Sequence, residues 1–466
     1  VNVNSNFTGF TTGSVKNIEN IELTNVSSVE RDFDATGITG VTKYTINANN
    51  NAGVNLVDLD KTVDVSVSNI KDTGNFTTAF NASAKELTGT SDAMNLAISS
   101  LGVVDDAATT VNEEKVVTVT LNSIETANVS ATNSNVISFA GTDLKALNIS
   151  GAGNVKVNTV TTSLTSVDAS ASTGAIDIDT TATTSTLTSV KTGSGNDKVK
   201  LDTADILANG TISLGAGEDT LTLASGAKTV QYTLSGAETL ALDGVTGALV
   251  FSGANVSGLT TVSTVAANTA ATSLVNMGTQ ALTVDNKGAT VAAGTLSSDH
   301  AGATTLNYKA DAASITAKTA QTSAADYTFD NSAAALTVNV NEYTDTTGSD
   351  ITAAKATSVT LNVASGKSAA TTPVEVTEFD GAITAAKATS VTVNATGKLG
   401  ANAVITAAEA KTATITNGAT AGTLQYVGAK TTDLTLKSGS AFTFATGTDL
   451  SAVQNASFTM DKGALS

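Results

Sequence analysis

The segment ITAAKATSVTLNV, residues 351–363, returns as ITAAKATSVTVNA at 383–395, and a looser copy, ITAAEAKTATI, occupies 405–415. A repeat of this length is one small unit of secondary structure. It cannot bury its apolar face alone, and stacking it on a similar unit supplies the missing partner. Two further repeat families run through the chain. ISFAGTDLKAL (137–147), VFSGANVSGLTTV (250–262) and FTFATGTDLSAV (442–453) share a Phe, then a Gly, then Asp or Asn ahead of an apolar residue. NIENIEL (17–23), SIETANV (123–129) and GAETLAL (236–242) form the third family.

Within the repeats, apolar and polar residues alternate. TVDVSVS (62–68), VVTVTLNSI (116–124), AIDIDT (175–180), LTVNV (336–340) and SVTVNA (390–395) place β-branched residues between Gly, Asn, Ser and Asp, which is the signature of strands. SDAMNLAISSLG (91–102) also alternates through MNLAIS and reads as strand. The expectation is an all-β chain built as a β-solenoid, a parallel β-roll or β-helix. About twenty coils at roughly 4.8 Å per coil match its length. The Ala run of ITAAKA suits a tight inward corner. A row of β-sandwich modules, or a mixture of the two architectures, stays open at this point. Three regions are expected: residues 1–135, a solenoid at 136–265, and a repeat-containing region at 266–466.

Composition narrows the function classes. The 466 residues include no Cys, no Trp, one His and one Pro, with 41% hydrophobic and 4% aromatic residues. That apolar share is too high for a disordered tract, and it consists mainly of small side chains suited to thin layers. The net charge is −18. With Arg31 as the single arginine, binding to nucleic acid, which rests on cations neutralising phosphate, is not expected. Acidity suits divalent cations, and equally the solubility of a concentrated protein. No run of 18 apolar residues appears, so no membrane span is expected. The chain opens VNVNSNFTGF, without initiator Met, basic segment or apolar signal core. A piece of a longer protein is expected, with any targeting or anchoring segment outside it.

The segments GSGNDKVKL (193–201) and GAGEDTLTL (215–223) each place Gly-x-Gly-x-Asp directly before a strand. Gly193, Gly195, Gly215 and Gly217 permit backbone shapes that other residues avoid. Turns of that shape can aim carbonyls inward beside Asp197 and Asp219. One turn offers about three oxygens, whereas calcium takes six to eight. Two stacked turns, with Asp202 and Asp205 between them, would complete a shell. The alternative is that each Asp caps its own backbone.

These residues resemble the RTX, or calcium-binding β-roll, repeat, whose pattern is Gly-Gly-x-Gly-x-Asp-x-apolar-x. Thr192 and Leu214 stand where the first Gly would be, AIDIDTTAT upstream lacks the glycines, and the 22-residue spacing departs from two nonapeptides. GTSDAMNL (89–96), with Asp92 at the acid position, reads as an eroded copy. More widely, the chain is similar in style to the S-layer proteins of Gram-negative bacteria of the Caulobacter and Campylobacter type. They too are Thr/Ala/Val/Asn-rich, acidic and cysteine-free, with phrases such as GAETLAL and AAKATSVTV around sparse RTX turns. The resemblance implies type I secretion to the bacterial cell surface and calcium-driven folding outside the cell. It also implies self-assembly into a two-dimensional lattice, held to cell-surface polysaccharide through an anchoring segment outside this chain. The alternative is a segment of a secreted RTX adhesin that grips a host cell, a glycan or ice. No regularly spaced Thr-x-Thr ranks on one flat face are evident in the sequence.

No enzyme is expected. A His-Glu-x-x-His site is impossible with His300 alone, which sits in the polar stretch LSSDHAGAT and reads as a solvated loop histidine. There is no Gly-x-Ser-x-Gly elbow and no P-loop. The acid pairs Asp58/Asp60, Asp105/Asp106, Glu113/Glu114 and Asp177/Asp179 lack the aromatics of sugar-cleaving sites. They read as solvated strand edges or further calcium ligands. Glu342, Asp345, Glu378 and Asp380, in loops ahead of the ITAAKATSV copies, are second-tier calcium candidates. The numerous Asn-x-Ser/Thr sequons are what chance supplies in such a composition.

Overall fold

The computed structural model describes the chain except residues 50–51, 72–73, 81–86, 88, 106–112, 182–186, 203–205, 225, 227, 265–269, 288–294, 419, 462–464 and 466. It is all-β, a solenoid of about 19 parallel stacked coils. Two compact units divide it: Val1–Thr222 with Tyr232–Ala237, and Leu223–Gln231 with Glu238–Ser466. The division falls inside the region 136–265 that the sequence suggested as one block. Among the described residues no helix is long and apolar enough to cross a membrane.

In the first unit a sheet of eleven strands begins Asn2–Val3, Asn20–Asn25, Lys43–Asn47, Asp64–Ser68 and Ala93–Ser99. Strands such as Asn154–Val157, Ile176–Asp179 and Lys198–Asp202 form a second sheet. Each coil contributes a strand to both. Winding the chain in one sense brings the equivalent strand of the next coil alongside in the same direction, so the ladders are parallel. A parallel sheet covered by helices reads as continuous apolar runs. Here one face meets the interior and the other meets solvent, so alternation persists. Ala93–Ser99 shows this in its exposed and buried alternation, and Leu23, Ile46, Val67, Ile98 and Ala131 stack in register as a buried column. Burying each such aliphatic side chain contributes about 1.5–3 kcal/mol, and much of that burial is provided by neighbouring coils.

The three repeat families prove to mark a common corner of the coil. At the residue before a strand, one carbonyl receives two N–H groups from the next coil. Glu125 O accepts from Lys145 and Ala146, Glu238 O from Thr260 and Thr261, and Lys411 O from Thr432 and Asp433. Where that residue is threonine its hydroxyl joins the ladder, as Thr165 Oγ1 does to Lys145 O (3.0 Å) and Thr389 Oγ1 to Thr357 O (3.1 Å).

The second unit has three sheets. The strands Thr304–Lys309, Ala335–Val340, Ser358–Val363, Ser390–Ala395 and Thr412–Asn417 belong to one. Asp326–Phe329, Asp350–Thr352, Ala382–Thr384 and Val404–Thr406 belong to another. A short third sheet, Gln321–Thr322, Thr344–Asp345, Glu378–Phe379 and Lys398–Leu399, widens the coils there. The two near-identical repeats lie on adjacent coils, Ser358 beside Ser390 through Val363 beside Ala395. Ala353, Ala356, Ala385, Ala388, Ala407 and Ala410 of the ITAAKA corners are buried. Ala356 N–H closes back on Ala353 O at 3.0 Å, a turn with no room for a larger side chain. One short helix, Ala312–Ala317, is capped by Asp311, which accepts from Ser314 N–H, and buries none of its residues.

Candidate functional site

The two Gly-x-Gly-x-Asp turns lie on successive coils of the first unit. Their glycines are required by the coil spacing. Gly215 has φ +85° and Gly217 φ +144°, which side-chain-bearing residues rarely adopt. A Cβ at Gly215 would also collide with the carbonyl oxygen of Gly193, and one at Gly217 with that of Gly195. Gly193 O also serves the ladder, accepting from Ala216 N–H at 2.9 Å, and one coil earlier Ser172 O, which a Cβ at Gly193 would strike, accepts from Ser194 N–H at 3.2 Å.

The aspartates complete that ladder. Asp197 Oδ1 accepts from the N–H of Ile176, one coil earlier, at 2.8 Å. Asp219 Oδ1 accepts in turn from Asp197 N–H at 2.8 Å. Each therefore caps the backbone of the preceding coil. Both are buried, with relative exposures of 0% and 1%. Asp197 Oδ2 has no hydrogen-bond partner. Burial pushes the Asp197 carboxyl above the ordinary carboxylate range, against the pull of the bonded Ile176 N–H and of the nearby dipoles of Thr192, whose hydroxyl proton goes to Leu214 O at 2.7 Å, and Gly193.

A turn that the sequence did not single out provides the contrast. Asn135, also buried, accepts Leu101 N–H of the preceding coil through Oδ1 at 3.2 Å, and its Nδ2 donates to Thr132 O at 2.9 Å. An amide thus satisfies both of its ends. A carboxylate in the equivalent role has no N–H to offer, and at Asp197 the second oxygen is left to something else, a proton or a cation. The donors nearby are hard oxygens, the ligand type of calcium or magnesium rather than of transition metals.

The other candidate ligands are placed differently. Asp202 ends the strand Lys198–Asp202, five residues and about 16 Å along from Asp197 at strand rise, so the strand keeps it out of the shell around Asp197. Asp205 lies outside the described residues. Glu342 is exposed. Asp345 Oδ1 accepts from the N–H and hydroxyl of Thr347, at 2.9 and 2.7 Å. Glu378 pairs with Lys398 at 2.7 Å, and Asp380 takes both the N–H and the side-chain amide of Asn402, at 2.6 and 2.9 Å. Asp92 precedes Ala93–Ser99 of the eleven-stranded sheet, and its N–H donates to Glu125 Oε2 at 2.8 Å. Among the described residues no group of three or more His, Asp or Glu side chains gathers as a metal cage.

Of the acid pairs, Asp58 and Asp60 are exposed, while Asp177/Asp179 and Glu114 join charge ladders. Asp177 sits in register between Lys156 and Lys198, and Asp179 lies beside Lys200. Glu114 bonds both Lys156 and Asn158. Burial raises the Asp177 carboxyl, and the two lysines oppose that rise. Asp105 accepts Glu113 N–H at 2.9 Å, while Asp106 lies outside the described residues. His300, which the sequence suggests is solvated, is fully buried instead. Its polar neighbours Ser298 and Thr304 turn inward and pair with the ring.

Two surface features were not legible beforehand. In the second unit each strand from Thr239–Asp243 to Asp433–Ser438 contributes one threonine to a single in-register rank, through Thr283, Thr337 and Thr392. Beside it runs an amide ladder. Asn307 Nδ2 donates to Asp285, Asn339 to Asn307, Asn362 to Asn339 and Asn394 to Asn362, at 2.7–3.0 Å. In the first unit Asn95, Asn128 and Asn148 form a similar ladder ending on Asp64. Each ladder terminates on a carboxylate, which accepts and never donates.

Fold and turns together define a parallel β-solenoid with acid-bearing glycine turns. Comparison with protein-family models, with characterised proteins and with solved structures returned no match.

Proposed function

We propose that this chain is a structural, non-enzymatic segment of a secreted bacterial cell-surface protein, stiffened by calcium and assembling with copies of itself into a two-dimensional S-layer lattice. The observation that carries the calcium part is the partnerless Asp197 Oδ2, 0% exposed, on stacked turns. An unsatisfied buried acceptor costs about 1–3 kcal/mol and a charged one more, so a bound cation stabilises the turn. Asp197 and Asp219 would hold it, with further oxygens from turn carbonyls and water; the described side chains alone fall short of six ligands. Calcium would supply charge neutralisation between successive coils. Asp197 and Asp219 would keep the backbone caps while their remaining oxygens face the ion. A chain unfolded at low intracellular calcium and folded outside the cell follows from the same chemistry.

The threonine rank favours a second reading, an adhesin segment that presents a periodic hydroxyl face to a glycan or to ice. From Thr305 through Thr392 its pattern is Thr-x-Asn, with those amides already engaged in their own ladder, and the lattice reading therefore stays first. The deciding experiment titrates calcium into the purified chain, following circular dichroism and negative-stain images together. The lattice reading expects a cooperative gain of stability and ordered sheets. Gain of stability in a particle that stays monomeric selects the adhesin. No response of either kind rejects the calcium mechanism.

A further inference from the structure

The only histidine of the chain is its one side chain whose ordinary titration falls between pH 5 and 8, and the coils of the second unit enclose it. Its relative exposure is 0%, and Phe329 packs edge-on against the ring at 5.8 Å. The hydrogen bonds around it run in one direction. Gly302 O can only accept, and it receives Ser332 Oγ–H at 2.9 Å. Ser332 Oγ receives Thr304 Oγ1–H at 2.9 Å. Thr304 Oγ1 has given its proton away and therefore accepts from His300 Nε2–H at 2.9 Å. Nδ1 is then the bare nitrogen, and it accepts the Ser298 hydroxyl at 2.9 Å. Ser298 Oγ also receives His300 N–H at 3.5 Å. The four side chains are buried, and the polarity of the chain fixes the neutral Nε2–H tautomer.

We infer that the Ser298–His300–Thr304–Ser332 chain is an acid-sensitive latch, which ties neighbouring coils of the second unit while the imidazole is neutral and loosens them when it is protonated. A proton on Nδ1 meets the Ser298 hydroxyl proton head-on, and that hydroxyl must turn away and give up its bond to the ring. The new charge also lacks a bonded counter-ion. Asp299, beside it in the chain, spends its carboxylate on Asn276 and Met277 N–H, at 2.7 and 2.8 Å. Asp330, next to Phe329, is exposed, Asp326 lies at the other end of that strand, and Lys309 on the adjoining strand pairs with Asp285 at 2.8 Å. Burial accordingly holds the imidazole below its usual range, with Asp299 opposing. For a depressed histidine the stabilisation is complete above the unfolded midpoint near 6.5, and it is lost as pH falls through that value toward the folded one. The inference does not depend on calcium or on lattice formation.

The test is hydrogen exchange on the whole chain at pH 7.5 and 5.5, corrected for intrinsic rates, alongside the variant His300→Gln. Glutamine can donate to Thr304 and accept from Ser298 without titrating. The expected result is about a tenfold larger opening constant at pH 5.5 for amides of residues 295–309 in wild type, with the variant unchanged between the two conditions. Identical pH responses in wild type and variant overturn the inference. Should the variant not fold, nitrogen NMR of the wild-type ring decides the question. A neutral Nε2–H ring persisting at pH 5.5 in folded molecules upholds it, and an ordinary titration near 6.5 with the fold intact overturns it.

Discussion

The interiors of the two units are built from different materials. In the first, coils as short as 20 residues, as between Asn128 and Asn148, bring two sheets together over aliphatic columns such as Leu23–Ile46–Val67–Ile98. There Asn95 and Asn128 are 33 residues apart, with no third sheet among the described residues between them. In the second, the short third sheet opens the cross-section of the coils that carry it, as between Asn362 and Asn394, 32 residues apart. Aromatic rings and paired polar groups fill the added space. Asn286 Nδ2 donates to Ser323 Oγ at 2.6 Å and Tyr327 OH at 2.7 Å, and Tyr308 OH meets Ser349 Oγ at 2.6 Å. Burial pushes the Tyr308 and Tyr327 hydroxyls far above their ordinary range. The comparison teaches that cross-section, and not coil length, decides what a solenoid must put inside. Where two sheets close directly on each other small branched side chains suffice, and where a third sheet parts them rings enter whose polar ends find partners. The acid with one bare oxygen lies in the first unit and the paired histidine in the second.

The sharpest way to break this contrast is to damage one unit and watch the other. Gly215→Ala places a Cβ against Gly193 O at a positive φ, and a loss of about 3 kcal/mol or more is expected. Exchange protection should fall across the first unit and persist at Ser390–Ala395. Equal loss in both would mean that the molecule unfolds as one block. Leu96→Ala, in the aliphatic interior, should cost about 2–4 kcal/mol in urea unfolding of the first unit. Tyr327→Phe, which strips an acceptor from Asn286, should cost about 1–2 kcal/mol in the second. If the tyrosine change is the more harmful, the wide interior depends on its polar network more than on its packing. The smallest effect concerns Asp197→Asn. Without calcium at pH 7 it should stabilise the turn by about 1 kcal/mol and abolish any stabilisation by added calcium, read from melting curves. A carboxyl raised on folding binds its proton more readily in the native state. Lowering pH through the raised folded value toward the unfolded one near 3.8 should therefore tighten the Asp197 turn, while falling pH below about 6.5 loosens the His300 coils. Shifts of one sign in both units would dissolve the distinction.

Much of this was legible beforehand, for particular reasons. Inward positions of SVTLNV and SVTVNA must be apolar and outward ones need not be, so alternation exposed the strands, and the near-identical copies exposed the stacking. The glycine pairs were legible because a coil-to-coil approach that a Cβ would block admits only glycine. The role of Asp197 is half legible in the sequence: an acid behind a glycine turn suits a backbone cap, but the N–H that it caps belongs to the coil before. That partner is 21 residues away, and nothing in a linear string ties Ile176 to Asp197. Asp202 looked close in sequence and is carried off by the strand between them. The threonine rank was invisible because its members are separated by intervals from 21 to 32 residues, and the corners and the third sheet absorb the differences.

What the amino-acid order determined by itself was local and periodic: which residues extend, which face turns inward, where only glycine fits, and that like units must pile on like. Those properties depend on a residue and its near neighbours, and the string records them. What only the tertiary structure decided was company. It set Asp197 against Ile176, Thr337 against Thr360, and His300 between two hydroxyls inside the protein rather than in water. Register between coils depends on the summed length of every corner and strand in a turn, and no short stretch contains that sum.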